Sequence, residues 1–190
     1  MNPVAYETIY DGHCKTYAVV HHTAWHLLDM AEKTESGRLL NLRAAMVFMA
    51  FTFEAYLNHV GSEEIPFWEE IEKISWRRKL QVISKHLKHS LDMSCSPMQG
   101  IAELFRFRDY LAHGRTEKLD GHRTITDDLP PYDHAWRVLK HEKLEVNDSQ
   151  ELFKDLEAAI EQVNAARPTP DCETWLWNQG LRSASTKPIN

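Results

Sequence analysis

Cysteine and glycine are both scarce in this 190-residue chain, and each shortage restricts the classes of fold that the chain can adopt. The three cysteines, Cys14, Cys95 and Cys172, are widely spaced and form no CxxC pair. A disulfide scaffold and a paired-cysteine zinc site are therefore not indicated, and reduced thiols in a cytoplasmic protein are expected. The 7 glycines form neither a phosphate-binding loop nor a nucleophile elbow. So few glycines favour long helices over a β architecture with many turns.

The chain also lacks excess positive charge, a leader and a long uninterrupted apolar run. Its net charge is −6, so a polyanion would have to be held by a local cluster of cations. Residues 1–10 have neither the basic nor the apolar region of a signal peptide. The most apolar stretch, residues 39–53, is interrupted by Asn41 and Arg43. It predicts a core helix in a soluble, cytoplasmic protein without a membrane segment.

Apolar residues recur at helical spacing through most of the chain, which predicts an all-α fold. Helices are expected over residues 13–33, over 38–60 with Gly61 as a C-terminal cap, and over 66–89 in one or two pieces. A fourth helix should begin at Ser96-Pro97, with the serine as cap, and end at Gly114.

The rest of the chain, residues 115–190, is less regular. Residues 115–133 contain Asp-Gly and Pro-Pro pairs and predict a long loop, with a small hairpin as the alternative. Residues 134–147 fit helix and strand equally. Asp148–Glu151 resembles a capping box at the start of the last helix, which Pro168 stops. We therefore predict an antiparallel bundle of about five helices over residues 1–167. The tail, 168–190, should be mobile unless Trp175 and Trp177 pack it down.

The segment with the most chemical content is residues 104–115, where three arginines and a histidine surround a helix end. Arg106, Arg108 and Arg115 stay charged, and their planar guanidinium groups match phosphate oxygens. His113 can take up and release a proton near neutral pH. These groups suit phosphoryl transfer on RNA without a metal. One group would move the proton of the 2′-hydroxyl while the other stabilises charge growing on the phosphate.

The spacing within this segment decides how the groups can meet. Residues five apart lie about 140° apart around a helix, so Arg108 and His113 do not share a face. They converge if the chain turns back after the helix, or if a twofold axis brings together two copies. Asp109 is four residues before His113 and can orient the imidazole. Arg106 and Tyr110 form the neighbouring pair with the same spacing.

Residues 108–113, Arg-Asp-Tyr-Leu-Ala-His, resemble the Arg-[Asn/Asp/His]-x-x-x-His signature of HEPN domains (higher eukaryotes and prokaryotes nucleotide-binding). The string Phe53–His59 is similar to the end of the helix that pairs with the motif helix in that family. The resemblance covers residues 13–165, and these two strings carry it.

This resemblance implies a compact helical bundle that forms a homodimer, with the motif side chains facing a cleft at the interface. It implies that Arg108 and His113 are the catalytic pair of a metal-independent endoribonuclease of the toxin–antitoxin or phage-defence type, without a cofactor. An antitoxin or a nucleotidyltransferase is the implied partner. The implied supporting residues are Asp109 and Glu54. From the residues themselves, Tyr110 is a further supporting candidate, and Arg106 and Arg115 are the candidate substrate-binding residues.

Each assignment has a plainer alternative. The helix dipole favours cations at a helix end and would alone account for His113. Glu54 could serve only as the ion-pair partner of an arginine. The run Trp-Arg-Arg-Lys at 76–79 is either an extension of an RNA path or a solvated helix face. His22 and His26 have metal-ligand spacing, but no third ligand is evident. The alternative function is a non-catalytic dimerisation or regulatory module that binds a partner protein or a nucleotide.

Overall fold

The computed structural model describes residues 6–114, 145–172, 176–179 and 182–188, with the two terminal strands described by their backbone alone. The predictions for residues 115–133 and 134–144, including Arg115, lie outside these ranges, and so does Trp175.

Six helices make up most of the described chain, and the predicted all-α bundle is confirmed. The third predicted region divides into two pieces, α3 and α4. Among the described helices, none has the combination of length and apolarity needed to cross a membrane. The helices are α1 (Thr16–Lys33), α2 (Arg38–Glu64), α3 (Trp68–Ile71), α4 (Trp76–His86), α5 (Met98–His113) and α6 (Val146–Ala165).

The longest helix, α2, is the centre of the bundle because apolar residues surround most of its circumference. The turn at 34–37 returns the chain so that α1 and α2 pack as a helical hairpin, and α4, α5 and α6 pack around α2. Gly37 in that turn has a φ of 74°, a conformation that glycine adopts at low cost. The buried apolar residues of α2 are Leu42, Ala45, Met46, Met49, Ala50, Phe53, Tyr56, Leu57 and Val60.

The predicted C-terminal cap at Gly61 is wrong, because α2 continues for nearly another turn to Glu64. Gly61 is buried beneath the indole of Trp68, and a Cβ at this position would overlap the indole ring. The missing side chain therefore lets α3 pack closely on α2.

Replacing Gly61 with alanine should destabilise the protein by about 1–3 kcal/mol, the usual cost of overpacking a core. Helix propensity alone predicts the opposite sign, a gain of about 1 kcal/mol. Urea unfolding of Gly61→Ala, beside the exposed neighbouring variant Ser62→Ala, separates the two effects. A Gly61→Ala protein as stable as Ser62→Ala would contradict the close approach of Trp68.

Two predicted helix starts are also corrected. The cap of α5 is Pro97 rather than Ser96. The Ser96 hydroxyl instead donates a hydrogen bond of 2.7 Å to Asp155 Oδ1 on α6. The cap of α6 is Glu145, three residues before the predicted position at Asp148. Ser96 therefore links the start of α5 to α6 rather than closing its own helix.

A two-stranded antiparallel sheet pairs residues near the start of the chain with residues near its end. Its strands are β1 (Tyr6–Gly12) and β2 (Arg182–Pro188), with Tyr6 opposite Pro188. The sequence reasoning did not predict this pair, because the partners are far apart in the chain and neither has a strong alternating pattern.

The segment after residue 167 also contacts the helical bundle. The Trp177 ring lies 4.9 Å from the His21 ring and 5.4 Å from the Trp25 ring of α1, measured between centroids. The Lys15 N–H donates a hydrogen bond of 2.9 Å to the Gln179 carbonyl. These contacts attach the segment to α1.

A buried arginine joins the end of α2 to the chain beyond α6. The Arg167 side chain is 4% exposed, and its Nε donates to Glu64 Oε1 at 3.1 Å. Its Nη1 donates to Asp171 Oδ2 at 2.8 Å, and its Nη2 pairs with Glu63. His59 lies 3.6 Å from the Glu63 and Asp171 carboxylates. Burial lowers the pKa of His59 and so disfavours a second positive charge beside Arg167.

Candidate functional site

The predicted motif lies on the last two turns of α5. The inner face of this helix packs into the core through Ile101, Leu104 and Phe105, among others. Arg108 is half-buried and His113 is exposed. Because α5 remains helical through His113, the angle of about 140° between residues five apart applies to this pair. Within one copy of the chain, Arg108 and His113 therefore point to different sides of α5.

Arg108 is held between two carboxylates and an aromatic ring. Its Nη2 lies 3.5 Å from Glu54 Oε2 on α2, and its Nε lies 3.2 Å from Asp109 Oδ1. Its guanidinium carbon is 5.0 Å from the centroid of the Phe105 ring. The side chain remains 24% exposed. These contacts fix the guanidinium while leaving part of it open to a ligand.

Glu54 serves a second cation besides Arg108. The Lys79 side chain, only 4% exposed, donates a hydrogen bond of 3.0 Å from its Nζ to Glu54 Oε1. A buried ammonium is costly without such a partner. Glu54 therefore compensates a lysine of α4 and an arginine of α5 from its position on α2.

Sequence reasoning missed Lys79 by treating residues 76–79 as one basic run. In the structure, Trp76, Lys79, Leu80 and Ile83 form the buried side of α4. Arg77 and Arg78 are exposed. The spacing of three and four residues from Trp76 is the signal that could have placed Lys79 inside.

The Phe105 ring that contacts Arg108 is itself stacked on a second aromatic ring. The Phe105 and Trp76 rings stack with centroids 4.5 Å apart and planes 13° apart. Arg77 lies over the Trp76 ring at 4.9 Å. Phe53 packs edge-on against both rings, at 6.3 and 6.5 Å. Arg108 and Arg77 thus occupy the two ends of a continuous row of contacts that crosses from α5 to α4.

The end of α5 does not turn back towards Arg108. Gly114 has φ −56° and ψ 140°, which is extended rather than left-handed. The Asp109 carboxylate lies beside the Arg108 guanidinium. In the described part of the chain, no hydrogen bond or ion pair joins Asp109 to His113. Through Gly114, the described helix end therefore does not bring Arg108 and His113 together within one copy of the chain.

The other predicted site residues are dispersed. Arg106 is exposed, and its Nε donates to the Ala102 carbonyl of its own helix at 3.3 Å. Tyr110 is half-buried on α5.

Two exposed apolar side chains flank the Glu54–Arg108 pair. Phe51 is 42% exposed and lies three residues before Glu54 on α2. Leu111 is 45% exposed and lies three residues after Arg108 on α5. Side chains three apart are neighbours on a helix surface. Phe51 and Leu111 therefore border the ion pair with apolar surface.

Of the two histidines with metal-ligand spacing, His22 has other contacts. His22 Nδ1 and Gln179 Nε2 form a hydrogen bond of 3.0 Å, and the His22 ring packs against Trp25 and Trp177. Within the described ranges, no three His, Cys, Asp or Glu side chains are grouped as metal ligands.

Comparison of the chain with protein-family models, with curated proteins and with solved structures gives no match.

Proposed function

We propose that the chain is a metal-independent endoribonuclease that acts as a HEPN-like homodimer. The observation that carries the proposal is the position of Arg108, which contacts Glu54 and Phe105 and remains partly exposed. An accessible imidazole, His113, lies one and a half turns further along the same helix. A fixed guanidinium and a free imidazole are the groups that metal-free RNA cleavage needs.

The separation of these two groups on α5 supports the homodimer. In one copy of the chain they point about 140° apart around the helix. A twofold axis near the end of α5 would set His113 of one copy beside Arg108 of the other. The apolar surface at Phe51 and Leu111 supports an interface here. Each dimer would then hold two composite sites.

In the proposed reaction, the 2′-oxygen of a ribose attacks the adjacent phosphorus and the bond from phosphorus to the 5′-oxygen breaks. His113 accepts the proton of the 2′-hydroxyl and then returns it to the departing 5′-oxygen, so the imidazole ends the reaction in its neutral form. Arg108 holds the scissile phosphate and stabilises the negative charge that grows on its oxygens. Arg106 and Arg115 guide the strand. No water and no metal ion enters this step.

The chemical groups at the ends of the cleavage products test the proposed class of reaction. In EDTA, the protein should cut a single-stranded RNA into fragments with 2′,3′-cyclic phosphate and 5′-hydroxyl ends. An oligonucleotide with one 2′-deoxyribose at the cleavage position should resist cutting there, because the attacking oxygen is missing. Mass spectrometry of the fragments distinguishes these ends. Fragments with 5′-phosphates, or activity that appears only with added Mg²⁺, would exclude the proposed mechanism.

A non-catalytic dimerisation or regulatory module is the second candidate. The observation in its favour is that Glu54 and Asp109 already occupy the guanidinium of Arg108 and compete with a phosphate. For this candidate, an antitoxin or a nucleotidyltransferase would be the partner. A protein that dimerises in sedimentation experiments but leaves a pool of random RNA intact would favour it.

A further inference from the structure

A groove lined by cations lies along the outer side of α4. It encloses about 650 Å³ between α4 and the segment 87–93 that follows it. None of the described residues that line it is acidic, although the chain has a net charge of −6. The basic residues of this groove are Arg77, Arg78, Lys85, Lys88 and His89.

Helix electrostatics do not account for all of these charges. The dipole favours Lys85, which lies in the last turn of α4. It disfavours Arg77 and Arg78, which lie in a first turn without acidic residues. Arg78 hydrogen-bonds Gln81. Among the described residues, no carboxylate pairs with Arg77, Arg78 or Lys85. A bound anion would compensate this unpaired charge.

The acidic residue nearest in sequence does not neutralise the groove. Leu91 and Met93 line the groove, but Asp92 between them does not. Asp92 Oδ1 accepts hydrogen bonds from the Ser94 N–H at 2.8 Å and from the Ser94 hydroxyl at 2.6 Å. Its carboxylate is therefore engaged by the loop that follows.

Lys88 lines the groove in a backbone conformation that is unfavourable for lysine. It has a φ of 53°, in the left-handed region where glycine is favoured. The His89 N–H donates to the Ser84 carbonyl at 3.0 Å, which closes the turn that ends α4. Glycine would fit this turn with less strain but would remove the charge. Lys88 therefore adds a positive charge to the groove at a position where glycine would suit the backbone better.

The cations are spread along the groove rather than clustered at one position. From Arg77 to Lys85 the helix rises about 12 Å, and Lys88 extends the row past the helix end. A single phosphate would contact only part of it, whereas a nucleic-acid strand presents a series of phosphates. Leu80, Leu91 and Met93 add apolar wall on which unpaired bases can lie.

We propose that this groove binds the phosphodiester backbone of single-stranded RNA, as a second contact for the substrate strand outside the cleavage site. The inference rests on the ribonuclease function proposed above. The ring contacts from Arg108 through Phe105 and Trp76 to Arg77 connect the groove to the motif arginine. A strand cut near Arg108 would continue along α4.

The test measures binding separately from cleavage, with full-length His113→Ala protein as background and a fluorescein-labelled 20-residue oligouridylate as probe. Adding Arg78→Ala and Lys85→Ala should weaken binding about tenfold in low salt. The slope of log K against log salt should fall by about 0.7 for each lost phosphate contact. The matched control, Lys33→Ala with Lys154→Ala, changes net charge equally at exposed sites outside the groove. It should bind within about twofold of the background protein.

A third variant distinguishes the loss of a groove charge from a loss of folded structure. Lys88→Gly should unfold at the same temperature as the background protein or higher, since glycine suits the left-handed turn, and should still bind the oligouridylate more weakly. Equal affinities for the groove and control doubles would overturn the proposal. So would a groove that binds polyglutamate but not oligouridylate, because its ligand would then be an acidic polypeptide.

The two proposals fail in different ways. Binding that depends on Arg78 and Lys85, in a protein that cleaves no RNA, would remove the nuclease and keep the groove as an RNA site. Cleavage that depends on Arg108 and His113, but is unaffected in rate and affinity by the groove substitutions, would remove the groove alone.

Discussion

Alanine at Arg108 or at His113 is expected to lower RNA cleavage by about 10²–10⁴-fold, the usual range for one proton-transfer or charge-stabilising group. An equimolar mixture of the two inactive proteins should recover about a quarter of wild-type activity. About half of the dimers in the mixture contain one copy of each variant. In each mixed dimer, one site joins an intact Arg108 from one copy to an intact His113 from the other.

This recovery distinguishes a site shared between copies from a site within one copy. If each copy carried its own Arg108–His113 site, every site in the mixture would lack one group and activity would stay at the single-variant level. Cleavage of a labelled RNA after refolding the mixture provides the measurement.

A histidine at another helix end is the matched control. His86 is exposed in the last turn of α4, as His113 is in α5. His86→Ala should cleave as the wild type does. If His86→Ala and His113→Ala have equal effects, His113 would be only a favourable cation at a helix end.

Replacing Arg167 with alanine should cost about 2–4 kcal/mol of stability, somewhat less than the loss of a fully buried ion-pair partner because Glu63 is half-exposed. The substitution leaves Glu63, Glu64 and Asp171 facing one another without the cation that joins them. It also removes a side chain that is 4% exposed, so a cavity adds to the loss. The melting temperature should fall by about 4–16 °C for a chain of this length.

Arg167→Lys separates the charge from the shape of the guanidinium. Lysine keeps one positive charge but cannot donate to the three carboxylates from a planar fork, so its stability should lie between the wild type and the alanine variant. Thermal unfolding followed by circular dichroism gives the order. An alanine variant as stable as the wild type would mean that the network contributes little to the folded state.

Local sequence patterns predict where the helices of this protein lie, but they predict the residues at which the helices begin and end less well. Apolar spacing located α1, α2 and α5, because each buries a continuous face of its own helix. The ends of α2 and α6 depend on contacts that local patterns do not contain. Gly61 resembled a cap, but its role is set by Trp68 of another helix.

Charged residues in the interior were harder to predict than apolar ones. The pairing of Glu54 with an arginine was expected as an alternative, because a carboxylate on an apolar helix needs a partner. Lys79 was missed because it follows two exposed arginines in the sequence, and Arg167 because it lies after the last helix, between Ala166 and Pro168. Contacts with α2 help to bury both. The proposed arrangement of two copies around α5 lies beyond any periodicity within one chain.

Because β1 pairs with β2, the two-stranded sheet can form only after the helices have been synthesised. The first strand leaves the ribosome with about 170 residues still to be made before its partner, a delay on the order of ten seconds or more. All of the described helices are translated in that interval. The helical bundle can therefore assemble while β1 is an open edge, and the final strand closes that edge last.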